Sequence, residues 1–166
     1  MKNDMFDRFL FFALFFMAYA FFGNLYEEIV LIPNHFTNPS AVLAAYHRYF
    51  VFSNPTYYFV PLTQLAIVVV VVLFFKSHEG KQKELLKRAV IFCLLSVVVT
   101  GFIVTQINLK LFSPQLVQQT EMLYTLSVMW LIGNTLRMIL VGGSLYFVLK
   151  TYVYRQAMVS REYRVS

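Results

Sequence analysis

The chain has 166 residues, of which 59% are hydrophobic and 13% charged, and its mean hydropathy is +0.64. A soluble domain of this size carries about 25% charged residues, so soluble and secreted classes are excluded; several apolar runs of about 20 residues indicate an integral membrane protein. The formal net charge of +6 does not indicate a nucleic-acid partner, because the basic residues gather beside the ends of apolar runs, where they set topology, and no nucleic-acid motif is present.

The first span is expected from about Phe6 to Ile32, stopped by Pro33-Asn34. Its start, Met-Lys-Asn-Asp followed by a long apolar run without a small-residue cleavage site, reads as a retained helix rather than a signal peptide. Its last third turns polar, with Gly23, Asn24, Tyr26, Glu27 and Glu28. Asn24 lies i, i+3 from Glu27 and i, i+4 from Glu28, which puts at least one carboxylate on its helix face. Gly23 offers a neighbouring helix a close approach.

Asn38-Pro39 is an N-cap followed by proline at the first helical position. It opens an amphipathic, aromatic segment over residues 39–53 that includes Tyr46, His47, Arg48, Tyr49 and Phe50, expected as a short helix lying on the outer membrane surface. Asn54-Pro55 repeats the start signal, and the second span follows from about Thr56 to Phe75. Pro61 should kink it and free a carbonyl; Gln64, one turn on, is its one strongly polar side chain.

Lys76 to Arg88 forms a polar loop with five Lys/Arg. The third span, about Leu85 to Asn108, ends in Thr100, Thr105, Gln106 and Asn108. Its single cysteine, Cys93, has no intrachain partner and reads as a small buried hydrophobe. Ser113-Pro114 is a third start signal, followed by a polar turn with Gln115, Gln118, Gln119 and Glu121. The fourth span runs from about Leu123 to Leu149, with a basic tail over residues 150–166 carrying Lys150, Arg155, Arg161 and Arg164. Gly142-Gly143 lies mid-span and reads as a helix-packing point, not a phosphate loop. The excess of positive charge on the loop between spans two and three and on the tail places both termini in the cytoplasm of a multi-pass cell-membrane protein. The expected fold is an all-α, four-helix transmembrane bundle forming a single domain.

The fourth span carries Trp130-Leu-Ile-Gly-Asn134-Thr-Leu-Arg137. Trp130, Asn134 and Arg137 are spaced i, i+4, i+7 and share one helix face. An arginine at the centre of a span costs roughly 2.5–3.5 kcal/mol on insertion scales, so it requires a partner or a wet cavity. At about 1.5 Å per residue, Gln64, Thr100 and Arg137 fall roughly 17–21 Å from the inner ends of their spans, and Asn24 and Asn134 about 24 Å. Glu27, Glu28, Gln106 and Trp130 fall at about 27–30 Å. Polar residues of all four spans thus share one slab, and the expectation is a cavity, open to the outside and capped by the aromatic segment, in which Arg137 pairs with Glu27 or Glu28, directly, through Asn134 or Gln64, or through a bridging water. Interhelical hydrogen bonding alone is the bland account of Gln64, Thr100 and Thr105. Trp130 is equally an interfacial anchor or a cavity wall. His47 beside Arg48 is a candidate base at the cavity mouth. His35 and His47 lack the ligand spacing of a metal or haem site, and no metal or other cofactor is expected.

With these residues in place, the chain resembles the anthrone-oxygenase-like family of small four-span membrane proteins. The resemblance is carried by Phe22-Gly23 leading to Ile29-Val-Leu-Ile-Pro33, by Asn54-Pro55, by Thr105-Gln106-Ile107-Asn108-Leu109, and by Trp130-xxx-Asn134-xx-Arg137. Lys110 and the acidic pair Glu27-Glu28 depart from the family pattern. The resemblance implies oxidation of an anthrone to an anthraquinone by O₂ without an obvious cofactor. Such a site needs a base, a cation for the enolate and a flat apolar slot. On that reading Arg137 and Asn134, with Glu27 or His47 as base, are the catalytic candidates, and Trp130, Asn24, Glu28, Gln64, Gln106 and Asn108 bind a small hydrophobic or aromatic substrate. A proton-coupled carrier working through Glu27 or Glu28 and a non-catalytic assembly partner are the alternatives. The partners expected are the lipid bilayer and that small molecule, with homo-oligomerisation left open.

Overall fold

A computed structural model of the protein describes residues 3–52, 55–78, 80–111, 113 and 120–165. Among the described residues the chain is helical throughout, with four helices long and apolar enough to cross a membrane. In chain order the elements are α1 (Asn3–Tyr26), a π-helical segment π1 (Glu27–Leu31), α2 (Ile32–Thr37), α3 (Pro39–Tyr49), α4 (Pro55–Lys76), α5 (Lys81–Phe102), a second π-helical segment π2 (Ile103–Asn108), α6 (Leu109–Leu111) and α7 (Thr120–Val165).

The four long helices form a ring in which α1 packs on α4 and α7, and α5 packs on the same two. One end, here the basic end, holds the start of α1, the short α4–α5 connection and the second half of α7. The other, the cap end, holds π1, α2, α3, π2 and α6, with α2 and α3 packed on each other and on α7. Two apolar clusters fill the ring. Toward the basic end, Leu10, Met17, Val70, Leu73, Leu86 and Val148 belong to a fully buried layer drawn from all four helices. Toward the cap end, Leu43, Ile103, Ile107, Leu111, Leu123, Leu126 and Trp130 form a second one. Where α1 enters the basic end, Arg155 donates to Asp7 at 2.5 Å and to Gln82 at 2.9 Å, and its guanidinium lies 4.4 Å from the Phe6 ring centroid. One side chain thereby ties α7 to both α1 and α5.

Small residues set the helix spacing, as their positions lead one to expect. A methyl group on Gly143 would sit 2.7 Å from the Phe92 ring, and one on Gly23 would overlap the Phe59 ring. These glycines are the sockets that let α5 approach α7, and α4 approach α1. Cys93 is buried, its sulfur 3.0 Å from Ser144 Oγ, which also donates to the Ala89 carbonyl at 3.1 Å.

Three expected boundaries move. The first helix does not stop at Pro33 but continues to Thr37. A proline there has no N–H to give and its ring presses on the carbonyl four residues back. The widened turn of π1 lies directly before it, the kind of local adjustment by which a membrane helix passes a proline. Asn34 Nδ2 then donates to the Val30 carbonyl at 2.7 Å. The third helix likewise runs through π2 to Leu111 rather than ending at Asn108. The helix that carries the fourth span continues past Leu149; α7 is one helix of 46 residues, about 69 Å long, so the basic tail is itself helical. The Asn38 cap is present, its side chain accepting from the Ala41 N–H at 3.2 Å, and α4 passes unbroken through Pro61. The Asn54 cap and the polar turn at Pro114–Gln119 lie outside the described residues.

Candidate functional site

The site is built around Arg137 on α7. Asn24, on the facing side of α1, bonds its own backbone first: Nδ2 donates to the Ala20 carbonyl at 2.7 Å. That fixes the amide so that its oxygen points away from α1, and Arg137 Nη2 donates to it. The same Nη2 donates to Asn134 Oδ1, one turn back on α7. The two N–H groups of one guanidinium nitrogen therefore serve two amide oxygens, and both asparagines are buried, Asn134 to 0% exposure. Arg137 Nε has no partner.

Arg137 makes no direct ion pair with Glu27 or Glu28; its link to Glu28 runs through Asn134. Among the described residues the salt bridges are Arg88–Glu84 and Arg155–Asp7, and neither involves Arg137. Glu27 stands one turn beyond Asn24 and interacts with Arg137 electrostatically but without direct contact. Glu28 turns toward α7, where it lies 3.3 Å from Thr135 Oγ1 and beside Asn134, and it too interacts electrostatically with Arg137. The reason is the π1 turn: it begins at Glu27, so the regular i, i+4 stacking of Glu28 over Asn24 is broken where it was expected to hold.

Arg137 borders a cavity of about 790 Å³ lined by all four long helices together with α2 and α3. That volume lies within the range of ordinary small-molecule sites, roughly 300–1,000 Å³. Among the described residues, the aromatic side chains Tyr26, Tyr46, Tyr49, Phe50, Phe59 and Trp130 line it. Its polar edge includes Asn24, Glu27, Gln64, Thr63, Ser96, Thr100, Asn108 and Arg137. Thr63, Ser96 and Thr100 each spend their single proton on a carbonyl of their own helix at 2.7 Å, so toward the cavity they present acceptor lone pairs. Asn108 Oδ1 is buried without a partner. Among the described residues the cavity thus combines a cation, a carboxylate, a row of acceptors and an aromatic wall, and the packed apolar layer of Leu10, Val70 and Val148 lies toward the basic end.

Of the residues singled out from the sequence, Asn24, Glu27, Gln64, Asn108, Trp130 and Arg137 are brought together at this cavity, and Asn134 supports Arg137 from behind. Trp130 is 7% exposed and packed among Ile103, Ile107 and Leu126, so it is a wall and not an interfacial anchor. Glu28, Gln106 and His47 do not line the cavity. Gln106 is exposed on the outer face of π2, and His47 is exposed on α3 with its ring edge-on to Tyr46. Among the described residues no group of three His, Cys, Asp or Glu is placed to hold a metal ion. Phe59, Thr63, Ser96 and Asn34 are lining residues that the sequence did not single out. Phe59 sits in a run of three aromatics whose members are equivalent until Gly23 is seen to receive one of them. No protein-family model, curated protein or solved structure matches this chain.

Proposed function

We propose that this is a multi-pass membrane protein that binds a small, largely apolar molecule, aromatic or quinone-like, with a hydrogen-bond-accepting oxygen held by Arg137. The observation that carries the reading is the state of Arg137: a cation at the edge of a cavity with an aromatic wall, held in place by two neutral amide oxygens rather than neutralised by a carboxylate. Amide oxygens orient a guanidinium but leave its charge available to a ligand oxygen in a low-dielectric site, where such interactions count most. On this reading the basic end faces the cytoplasm with both termini, the cavity opens toward the outer side, and α3 is its interfacial cap with aromatics at headgroup depth. The packed apolar layer beneath the cavity favours a blind-ended site over a carrier path.

The likeness to anthrone oxygenases extends the proposal to a reaction. An anthrone would bind with its carbonyl at Arg137; Glu27 would take a proton from the ring methylene, and Arg137 would hold the resulting enolate oxygen. The enolate reacts with O₂, and loss of water gives the anthraquinone, so that one anthrone and one O₂ yield one anthraquinone and one water. Purified protein in detergent, supplied with anthrone and O₂, tests this. Glu27→Gln is expected to lower the rate by about 10²–10⁴-fold while leaving anthraquinone binding in place. Oxidation at the wild-type rate in both Glu27→Gln and Arg137→Gln would remove the enzymatic reading and leave the binding one.

A further inference from the structure

The α1–α4 seam is built differently from the contacts that α7 makes around the cavity. α7 is hydrogen-bonded to α1 through Arg137 and Asn24, and to α5 through Ser144 and Ala89. The α1–α4 seam is filled by rings, Tyr19 lying 5.1 Å from Phe59 and 5.8 Å from Tyr58, centroid to centroid, with the Tyr19 and Tyr58 hydroxyls hydrogen-bonded to each other. Gly23 faces α4, since any side chain there would overlap Phe59. Tyr26, three residues on, shares that face. Tyr26 lines the cavity and is nevertheless 58% exposed, with Tyr58 across the seam also exposed. Both belong to candidate membrane spans, Asp4–Val30 and Tyr58–Lys76, so on the membrane placement proposed above their exposed surface meets lipid. The wall of the cavity and the lipid-facing surface are here the same side chain.

We propose that the ligand reaches Arg137 from within the bilayer, through the seam between α1 and α4, and that the Phe59 ring resting on Gly23 is the part that moves to admit it. The ligand class is then a membrane-dissolved lipophile rather than a water-borne solute. This rests on the binding reading above. A ring over a glycine suits that movement, because the Phe59 ring is itself held by contact alone and breaks no hydrogen bond of its own when it swings.

The test uses the full chain in phosphatidylcholine vesicles, with the fluorescence of Trp130, the one tryptophan of the chain, as readout. Two benzoquinones with the same head are compared, one with a short alkyl tail that partitions into water and one with a long polyprenyl tail that stays in the bilayer. Trp130 is buried, so a quencher dissolved in lipid reaches it only by occupying the cavity. The polyprenyl quinone is expected to quench saturably. Tyr26→Cys with Tyr58→Cys, bridged by a short bismaleimide, should slow that quenching at least tenfold relative to the unbridged double variant; Cys93 is buried and does not compete for the reagent. Quenching by the short-tailed quinone alone, or no effect of the bridge, would place access on the water side beneath α3 and overturn the proposal. If neither quinone quenches, the binding reading fails and the access route falls with it.

Discussion

Arg137 makes sense only together with the two asparagines that hold it. An arginine in a membrane span can be satisfied by a carboxylate, which neutralises it, or by amides, which orient it and leave it charged; this protein uses the second. Asn134 is the more vulnerable of the pair, being fully buried, and Asn134→Leu is expected to cost about 1–3 kcal/mol of stability because it strips a charged group of one acceptor. Arg137→Leu removes the need for that acceptor, so Asn134→Leu with Arg137→Leu should cost at least about 1 kcal/mol less than the sum of the single changes. Unfolding of the four proteins in detergent measures this, and strict additivity would show that the two side chains do not depend on each other. Spacing alone was enough to put Trp130, Asn134 and Arg137 on one face, and depth alone was enough to bring Asn24, Gln64 and Glu27 near them. What spacing could not supply was the choice of Asn24 over Glu28, because that choice is made by a π turn, and the Pro33 that follows it does not say by itself whether the helix stops or widens.

At the scale of elements, the two π-helical segments are the features that distinguish the cap end from the basic end. Each places an extra residue in a turn next to the cavity: π1 directs Glu27 inward and Glu28 toward α7, and π2 holds Ile103 and Ile107 in the core while Asn108 borders the cavity. Deleting the exposed Gln106 should let π2 relax to an ordinary α-helix, the flanking helices keeping their register while the side chains within the turn shift. The expected result is a folded protein with ligand affinity reduced at least tenfold, as Asn108 leaves the cavity edge; wild-type affinity would show that π2 does not shape the site. Glycine sockets give a second test. Gly143→Val drives a side chain into Phe92 and should destabilise by about 1–3 kcal/mol through overpacking. Gly101→Ala meets nothing within 4 Å and should leave the midpoint of thermal unfolding unchanged or slightly higher. Equal effects at both positions would mean that α5–α7 spacing is not set by the glycine.

For the whole molecule, the division of labour runs along the bundle axis. The basic end is packed and clamped, and the cap end is hollow and aromatic. Arg155, reaching Asp7 and Gln82 across three helices, is the clamp; Arg155→Ala should lower stability by about 1–2 kcal/mol without altering ligand affinity, measured by thermal unfolding beside a binding titration. A loss of affinity equal to that of a cavity variant would mean that the two ends are not independent. Much of this architecture was legible in advance: the four spans, the Asn38 cap of α3 and the gathering of polar residues at one level all follow from hydropathy, capping chemistry and helix rise. The length of α7 was not, because Lys150 and the basic residues after it mark where a helix leaves the apolar layer and not where it ends. Nor was the passage through Pro33, since a proline ends helices in water more readily than in a bundle that can widen a turn to keep its backbone bonded.

The central claim is that Arg137 presents its charge to a ligand in the cavity that Trp130 borders. Trp130 is the sole tryptophan, so its quenching reports occupancy of that cavity and nothing else in the chain. Titration of the detergent-solubilised protein with a short-tailed quinone should give saturable quenching in the wild type, with the half-saturation point raised by about 30-fold in Arg137→Gln, the equivalent of about 2 kcal/mol for a hydrogen bond to a charged group. Quenching that never saturates, or that saturates at the same concentration in both proteins, would contradict the account.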